Sequence, residues 1–126
     1  PLQLLHQAAE VQGLRVETRC FDFCGHLPLP SRADCLLAAD VCYDARLARG
    51  LARRCSEAAT TGIEVVVADS VDLARSEFVE ELSRLGVDYE KRVVKREFEG
   101  HAVALDEDVV QTCQVAIIRL GAKKAV

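Results

Sequence analysis

The chain has 126 residues, a formal net charge of −4 at pH 7, and hydrophobic side chains at half of its positions. This length provides one domain with one hydrophobic core and excludes an array of several independent domains. Interspersed charges of both signs argue against a nucleic-acid binder, and no apolar run reaches the ~18 residues that a membrane-spanning helix needs.

The first half of the chain alternates helix and strand patterns. Apolar residues recur at helical spacing over residues 2–11, and residues 14–19 alternate as a short strand. A loop with two prolines follows, since proline discourages helix and central strand. Residues 35–39 are apolar without alternation, which predicts a strand covered on both faces. That strand ends at Asp40.

The second half begins with a helix from Asp44, where apolar residues form one stripe and arginines occupy much of the remaining surface. We interpret the arginines between Arg46 and Arg54 as a solvated face, with a contact to a partner as the alternative. Residues 63–68 predict a second buried strand, which closes on Asp69, and a second helical stripe runs over residues 71–85.

Two strands without a helix between them close the chain. Residues 87–98 and 112–120 carry the strand patterns, and the simplest arrangement for such neighbours is an antiparallel hairpin. The alternation slips at Val93 and Val94, which suggests a β-bulge. Alternating helices and strands followed by a hairpin predict an α/β fold with helices on a largely parallel sheet.

The six cysteines fall mostly inside these apolar patterns, where reduced cysteine acts as a small hydrophobe. We therefore expect an intracellular, reducing compartment, either the cytoplasm or the mitochondrial matrix. Cys20 and Cys24 are not followed by a second pair at ligand spacing, so we predict no metal site.

Residues 39–44, with Leu47 and Ala48, resemble the Asp-x-x-Tyr motif of seven-β-strand class I S-adenosylmethionine-dependent methyltransferases. The most similar branch is the protein-lysine methyltransferase group that includes the electron-transfer-flavoprotein β-subunit lysine methyltransferase. Relatives similar to a ribosomal-protein methyltransferase or to nicotinamide N-methyltransferase are alternatives. The resemblance covers residues 1–120, corresponds to the later part of the family domain, and leaves 121–126 as a tail.

The resemblance implies a Rossmann-like methyltransferase sheet of order 3-2-1-4-5-7-6 that ends in an antiparallel hairpin. The chain would supply its third to seventh strands, and the first two would be missing. The strand at 14–19 would then lose its neighbour, and the strand at 35–39 would keep only one. Because an exposed hydrophobic strand edge is a liability, we expect a protein partner that completes the sheet, or residues that precede Pro1.

The resemblance also implies residue roles. Asp40 and Tyr43 would be catalytic residues beside S-adenosylmethionine that orient the acceptor amine, and Asp22 would bind the cofactor near its adenine amino group. From the residues alone, the alternative is that Asp40 is a solvent-facing acid at a strand end and Asp22 an ordinary turn acid. The family's glycine-rich strand and ribose-binding acid are not in the sequence, and Asp69-Ser70 stands where the family has Asp-Pro.

Two functions follow as hypotheses. The chain is part of a methyltransferase that acts on a protein lysine or a similar amine, or it is a non-catalytic, methyltransferase-derived subunit of a larger assembly. Because the glycine-rich motif is absent, we expect the chain alone to be inactive and to bind S-adenosylmethionine negligibly.

Overall fold

The computed structural model describes residues 2–29, 33–70, 75–102 and 107–121. Over these residues the chain folds into three helices and one open sheet of four strands. The elements are α1 (Leu2–Val11), β1 (Cys35–Ala39), α2 (Ala45–Thr60), β2 (Glu64–Ser70), α3 (Arg75–Arg84), β3 (Tyr89–Ala102) and β4 (Glu107–Leu120). The predicted α/β class is confirmed.

The sheet has the order β1-β2-β4-β3. β1 and β2 are parallel, with α2 in the connection between them, whereas β4 runs antiparallel to both of its neighbours. The predicted terminal hairpin is therefore present, and its second strand inserts between β2 and β3. The result is a mixed sheet rather than a purely parallel one.

The core lies between the sheet and the two later helices. α2 begins at its cap Asp44, whose Oδ1 accepts a hydrogen bond from the Leu47 N–H at 2.8 Å, as helix N-caps do. Its apolar stripe packs against α3 and against alternate residues of β2 and β4. The largest fully buried side chains are Phe78, Leu82, Ile118, Leu120, Val65, Val67, Cys42 and Cys55. Each of the larger side chains contributes about 1.5–3 kcal/mol by leaving water.

The opposite face of the sheet is open within the described residues, and the prediction that β1 is covered on both faces is wrong. Cys35, Leu37 and Ala39 are exposed on that face, with Leu37 75% exposed, and among these residues β1 pairs only with β2. An apolar run without alternation reports that both faces are hydrophobic, whereas burial depends on which elements cover them.

Two strand predictions need correction. Residues 14–19 do not form a strand, because no described strand lies beside them to share backbone hydrogen bonds. β3 and β4 pair without interruption from Tyr89↔Leu120 to Ala102↔Glu107, so there is no bulge, and both strands are longer than predicted. Val93 lies on the helix-facing side at 51% exposure, so burial is too weak there to impose strict alternation.

No helix in the described part of the chain is long and apolar enough to cross a membrane. The predicted second-helix positions 71–74 and the predicted tail beyond Gly121 lie outside the described residues.

Candidate functional site

The turn at residues 40–43, hereafter the Asp40–Tyr43 turn, leads from the carboxyl end of β1 towards α2. Asp40 has φ +53°, and it is the one described residue other than glycine with a positive φ. Aspartate enters this left-handed region more readily than most residues, because its short polar side chain can bond locally. The Asp40 N–H donates to the Ala68 carbonyl oxygen at 3.0 Å, so the turn starts from a position fixed to β2.

Within this turn, the structure brings together the two predicted catalytic residues. The Tyr43 hydroxyl donates a hydrogen bond to Asp40 Oδ2 at 3.2 Å. The negative charge of Asp40 raises the pKa of the Tyr43 phenol, and partial burial, the hydrogen bond and the charge of Asp69 act in the same direction. Tyr43 is 61% exposed. The pair therefore presents a carboxylate and a protonated hydroxyl at the molecular surface.

A second carboxylic acid, Asp69, lies near the end of β2 and bonds the backbone of this turn. The residue is 3% exposed. Its Oδ2 accepts a hydrogen bond from the Cys42 backbone N–H at 3.0 Å, and its Oδ1 accepts one from the Ser70 N–H at 2.8 Å. The sequence pattern predicts Asp69 only as the acid that closes the second strand. The signal for its burial is alternation, because Asp69 continues the buried series of Val65 and Val67.

The predicted cofactor residue, Asp22, belongs to a local turn. Its Oδ1 accepts a hydrogen bond from the Cys24 N–H at 2.9 Å, and its carbonyl oxygen accepts one from the Gly25 N–H at 3.0 Å. This is the geometry of an Asx turn, which is the ordinary role considered for this acid. The described contacts connect the 21–25 segment to α2 rather than to the Asp40–Tyr43 turn.

Arg54 makes that connection, and the interpretation of the arginines as a wholly solvated face is wrong at this position. Its side chain is only 11% exposed. Nε donates to the Phe23 carbonyl oxygen at 3.0 Å, Nη2 donates to the Gly25 carbonyl oxygen, and Nη1 donates to Glu57 Oε2 at 2.6 Å. Its guanidinium carbon also lies 5.6 Å from the centroid of the Phe21 ring.

Glu57 completes this attachment. Its Oε1 accepts a hydrogen bond from the Leu29 N–H at 2.8 Å, and that bond, followed by the contacts with Arg54, lowers the pKa of the carboxyl despite its partial burial. Together Arg54 and Glu57 fix the loop that carries Asp22 against α2.

A separate open depression of about 500 Å³ lies on the terminal hairpin. Its lining residues are Glu90, Lys91, Arg92, Ile117 and Arg119. None of the predicted site residues lines it, so this depression and the Asp40–Tyr43 turn are distinct surfaces.

The sequence matches no protein-family model, no curated protein and no solved structure. The site consists of a carboxylate and a phenol at the end of a parallel strand. A second, buried carboxylate bonds the backbone of the turn that carries them.

Proposed function

We propose that the chain carries the acceptor side of an S-adenosylmethionine-dependent methyltransferase whose substrate is a protein lysine or a similar amine. The observation that carries this proposal is the hydrogen bond between Tyr43 and Asp40 at the carboxyl end of β1. Ligands of open α/β sheets bind beyond the carboxyl ends of the strands. Asp40 and Tyr43 are the proposed catalytic residues.

The order of the strands supports the same proposal. In the methyltransferase sheet that the resemblance implies, the later strands have the order 4-5-7-6, with the seventh antiparallel to its neighbours. The order β1-β2-β4-β3, with β4 antiparallel to β2 and β3, has the same pattern. In this proposal the sheet is the later part of a Rossmann-like methyltransferase sheet.

The chemistry proposed for the site concerns the acceptor nitrogen. The Asp40 carboxylate accepts hydrogen bonds from the amine, and the Tyr43 hydroxyl limits the orientations that the carboxylate can adopt. Positioning of this kind accounts for much of the acceleration when a nucleophile attacks a reactive carbon. The nitrogen must lose a proton to become nucleophilic, and the exposure of Tyr43 lets water carry that proton away.

Charge supports an amine as the acceptor. Asp40 and Asp69 both contribute negative potential at the Tyr43 hydroxyl. No ion pair within the described residues neutralises either acid. Such a site attracts an ammonium group and disfavours an anionic acceptor.

The methyl donor itself fits these residues poorly. The connection between β1 and α2 has no glycine, and the sequence has no glycine-rich turn between a strand and a helix. S-adenosylmethionine would supply the methyl group when bound, and Asp22 is the residue of this chain that we propose to contact it. The proposal therefore includes a protein partner that completes the sheet and the donor site.

A second candidate function is a non-catalytic subunit in a larger assembly. The observation that favours it is the open sheet face beside the edge of β1 that has no partner among the described strands, where Leu37 is 75% exposed. Under either function we propose an intracellular location, in the cytoplasm or mitochondrial matrix. The cysteines form no disulfide among the residues that the structure describes, and a reducing compartment would keep them in that state.

The experiment starts with the chain purified from cells together with the proteins that bind it. This material is incubated with S-adenosylmethionine carrying a tritiated methyl group and with protein extract, and methyl-lysine is counted. We expect incorporation with the wild type and with Glu80→Ala, a change of an exposed acid on α3, and none with Asp40→Ala. Absence of incorporation with the wild type, or its survival in Asp40→Ala, overturns the methyltransferase and favours the structural subunit. Calorimetry of the chain alone should detect no binding of S-adenosylmethionine in the micromolar range.

A further inference from the structure

Asp69 is an unusual buried acid. The residue is 3% exposed, and its two carboxylate oxygens accept hydrogen bonds from two backbone N–H groups, those of Cys42 and Ser70. No lysine, arginine or histidine among the described residues forms an ion pair with it. Burial of a carboxylate without a cation costs free energy unless hydrogen bonds satisfy both of its oxygens. The two backbone N–H groups therefore make the burial of Asp69 possible.

The segment that Asp69 bonds is the Asp40–Tyr43 turn. At the start of the turn, the Asp40 N–H donates a hydrogen bond to the Ala68 carbonyl oxygen. The turn leads to Asp44, whose carboxylate caps α2. Between these two points, the Cys42 N–H donates a hydrogen bond to Asp69 Oδ2 and so joins the backbone of the turn to β2. Cys42 precedes Tyr43 directly, so this bond limits the rotations that would move the phenol away from Asp40.

We infer that Asp69 is a positioning residue that holds the Asp40–Tyr43 turn in the geometry in which the two side chains bond each other. That this geometry orients an acceptor amine rests on the proposed function. That the Asp69 carboxylate fixes a backbone N–H, and through it the neighbouring phenol, can be tested without measuring any activity.

The substitution Asp69→Asn distinguishes a role in hydrogen bonding to the turn from a role in packing alone. Asp69 meets two N–H donors with two acceptor oxygens, whereas an asparagine amide has one acceptor and would turn its NH₂ group towards the second donor. Asp69→Asn therefore keeps the shape of the side chain but loses one bond and the negative charge. The matched control is Glu81→Gln, since Glu81 is also buried but its carboxylate bonds Arg53 and Arg84 on the helices among the described residues.

The wild-type chain provides a test that requires no variant. In a long-range HNCO spectrum of the chain labelled with ¹³C and ¹⁵N, we expect a coupling across the hydrogen bond from the Cys42 nitrogen to the carboxyl carbon of Asp69. The Leu47 nitrogen and the carboxyl carbon of Asp44, which share a bond of 2.8 Å, are the internal control. A spectrum with the Leu47 coupling and without the Cys42 coupling overturns the inference.

The variants test the consequence for Tyr43. They are made with Tyr89→Phe, which leaves Tyr43 as the single tyrosine of the chain, so that its ionisation can be followed by absorbance. We expect Asp69→Asn to speed exchange of the Cys42 amide at least tenfold relative to the Val65 and Val67 amides, and to lower the pKa of Tyr43. Glu81→Gln should change neither quantity. Unchanged exchange and titration in Asp69→Asn, or equal changes in both variants, would overturn the positioning role whether or not the chain methylates anything.

If the couplings and titrations follow expectation and no methyl transfer is found, the positioning role stands and the proposed function fails. If methyl transfer is found, Asp69→Asn should lower kcat more than it changes KM for the amine, because it loosens the catalytic geometry and leaves Asp40 in place to attract the substrate.

Discussion

The hydroxyl of Tyr43 donates a 3.2 Å hydrogen bond to the carboxylate of Asp40, and Asp40 holds its end of this bond from a left-handed backbone conformation with φ +53°. The pair thus combines a side-chain hydrogen bond with local backbone strain. Such a conformation persists where the surrounding structure holds the backbone in place. Here Ala68 accepts a hydrogen bond from the Asp40 N–H, and Asp69 accepts one from the Cys42 N–H.

The strain at Asp40 predicts an order of stability among its variants. Asp40→Gly should be as stable as the wild type or more stable by up to about 1 kcal/mol, because glycine adopts positive φ freely. Asp40→Ala should lose about 1 kcal/mol, since alanine gains no local bond in the left-handed region. Urea unfolding followed by circular dichroism measures both. Asp88→Gly, at an exposed residue without positive φ, is the control and should lose stability. An alanine variant more stable than the glycine variant would contradict the prediction.

The charge of Asp40 predicts how Tyr43 titrates. With Tyr89→Phe as the background, Tyr43 should ionise above the usual value of about 10, because the phenolate would form beside a carboxylate. Asp40→Asn should bring the pKa down towards that usual value, and Asp88→Asn should leave it in place. Absorbance at 295 nm measures the titration. If Asp40→Asn left the midpoint unchanged, the bond between Tyr43 and Asp40 would not form in solution.

The parts of the site that could be predicted from the sequence are the local ones. Asp40 and Tyr43 are three residues apart after an apolar strand, so chain geometry alone brings them close. Asp69 bonds Cys42 across 27 residues, and Arg54 bonds Phe23 across 31. Such contacts depend on how the strands and helices pack, which the pattern of one segment does not report.

The fold shows the same division. Helix α2 was predictable because its period, its cap and its stripe lie within one segment, and the hairpin was predictable because no helical pattern separates its strands. The exposure of β1 and the absence of a strand at 14–19 were not predictable, because hydrophobic composition shows only which side chains a segment is able to bury. Whether it is buried depends on a neighbouring strand or helix.

The contacts of Arg54 predict that lysine cannot replace it. Arg54→Lys keeps the charge but cannot bond the carbonyl oxygens of Phe23 and Gly25 and the carboxylate of Glu57 at once. We expect a loss of about 1–3 kcal/mol in the free energy of unfolding, since a partly buried acceptor is left unpaired. Arg46→Lys, on the exposed side of the same helix, should change stability by less than about 0.5 kcal/mol. Urea unfolding of the two variants checks the difference, and equal effects would contradict it.

Glu81 predicts a loss of stability in acid. Hydrogen bonds from Arg84 lower its pKa to about 2 against the cost of burial, and Arg53 adds to the effect. Because this pKa is below that of the unfolded chain, about 4.3, the contribution is complete above pH 4.3 and disappears as the pH falls to about 2. Both arginines are largely exposed, so we expect only about 1 kcal/mol.

The variant Glu81→Gln tests this origin. The difference in unfolding free energy between wild type and Glu81→Gln should shrink between pH 4.5 and pH 2, and Glu80→Gln, at the exposed neighbour, should show no such change. Urea unfolding at several pH values measures it. A difference that stayed constant over this range would mean that the bonds to Arg84 and Arg53 do not depend on the charge of Glu81.

The open face of β1 predicts how the chain behaves at high concentration. Leu37 is 75% exposed on a strand whose outer edge has no described partner, and β1 carries no charged side chain that would discourage pairing with another chain. Leu37→Lys should therefore reduce self-association and change the free energy of unfolding by less than about 0.5 kcal/mol. Leu36→Lys should instead lose about 2 kcal/mol or more, because Leu36 packs against the core on the helix-facing side. Sedimentation velocity and urea unfolding of the two variants separate the faces. If Leu37→Lys destabilised the chain as much as Leu36→Lys, a segment of the chain would have to cover the face that the described residues leave open.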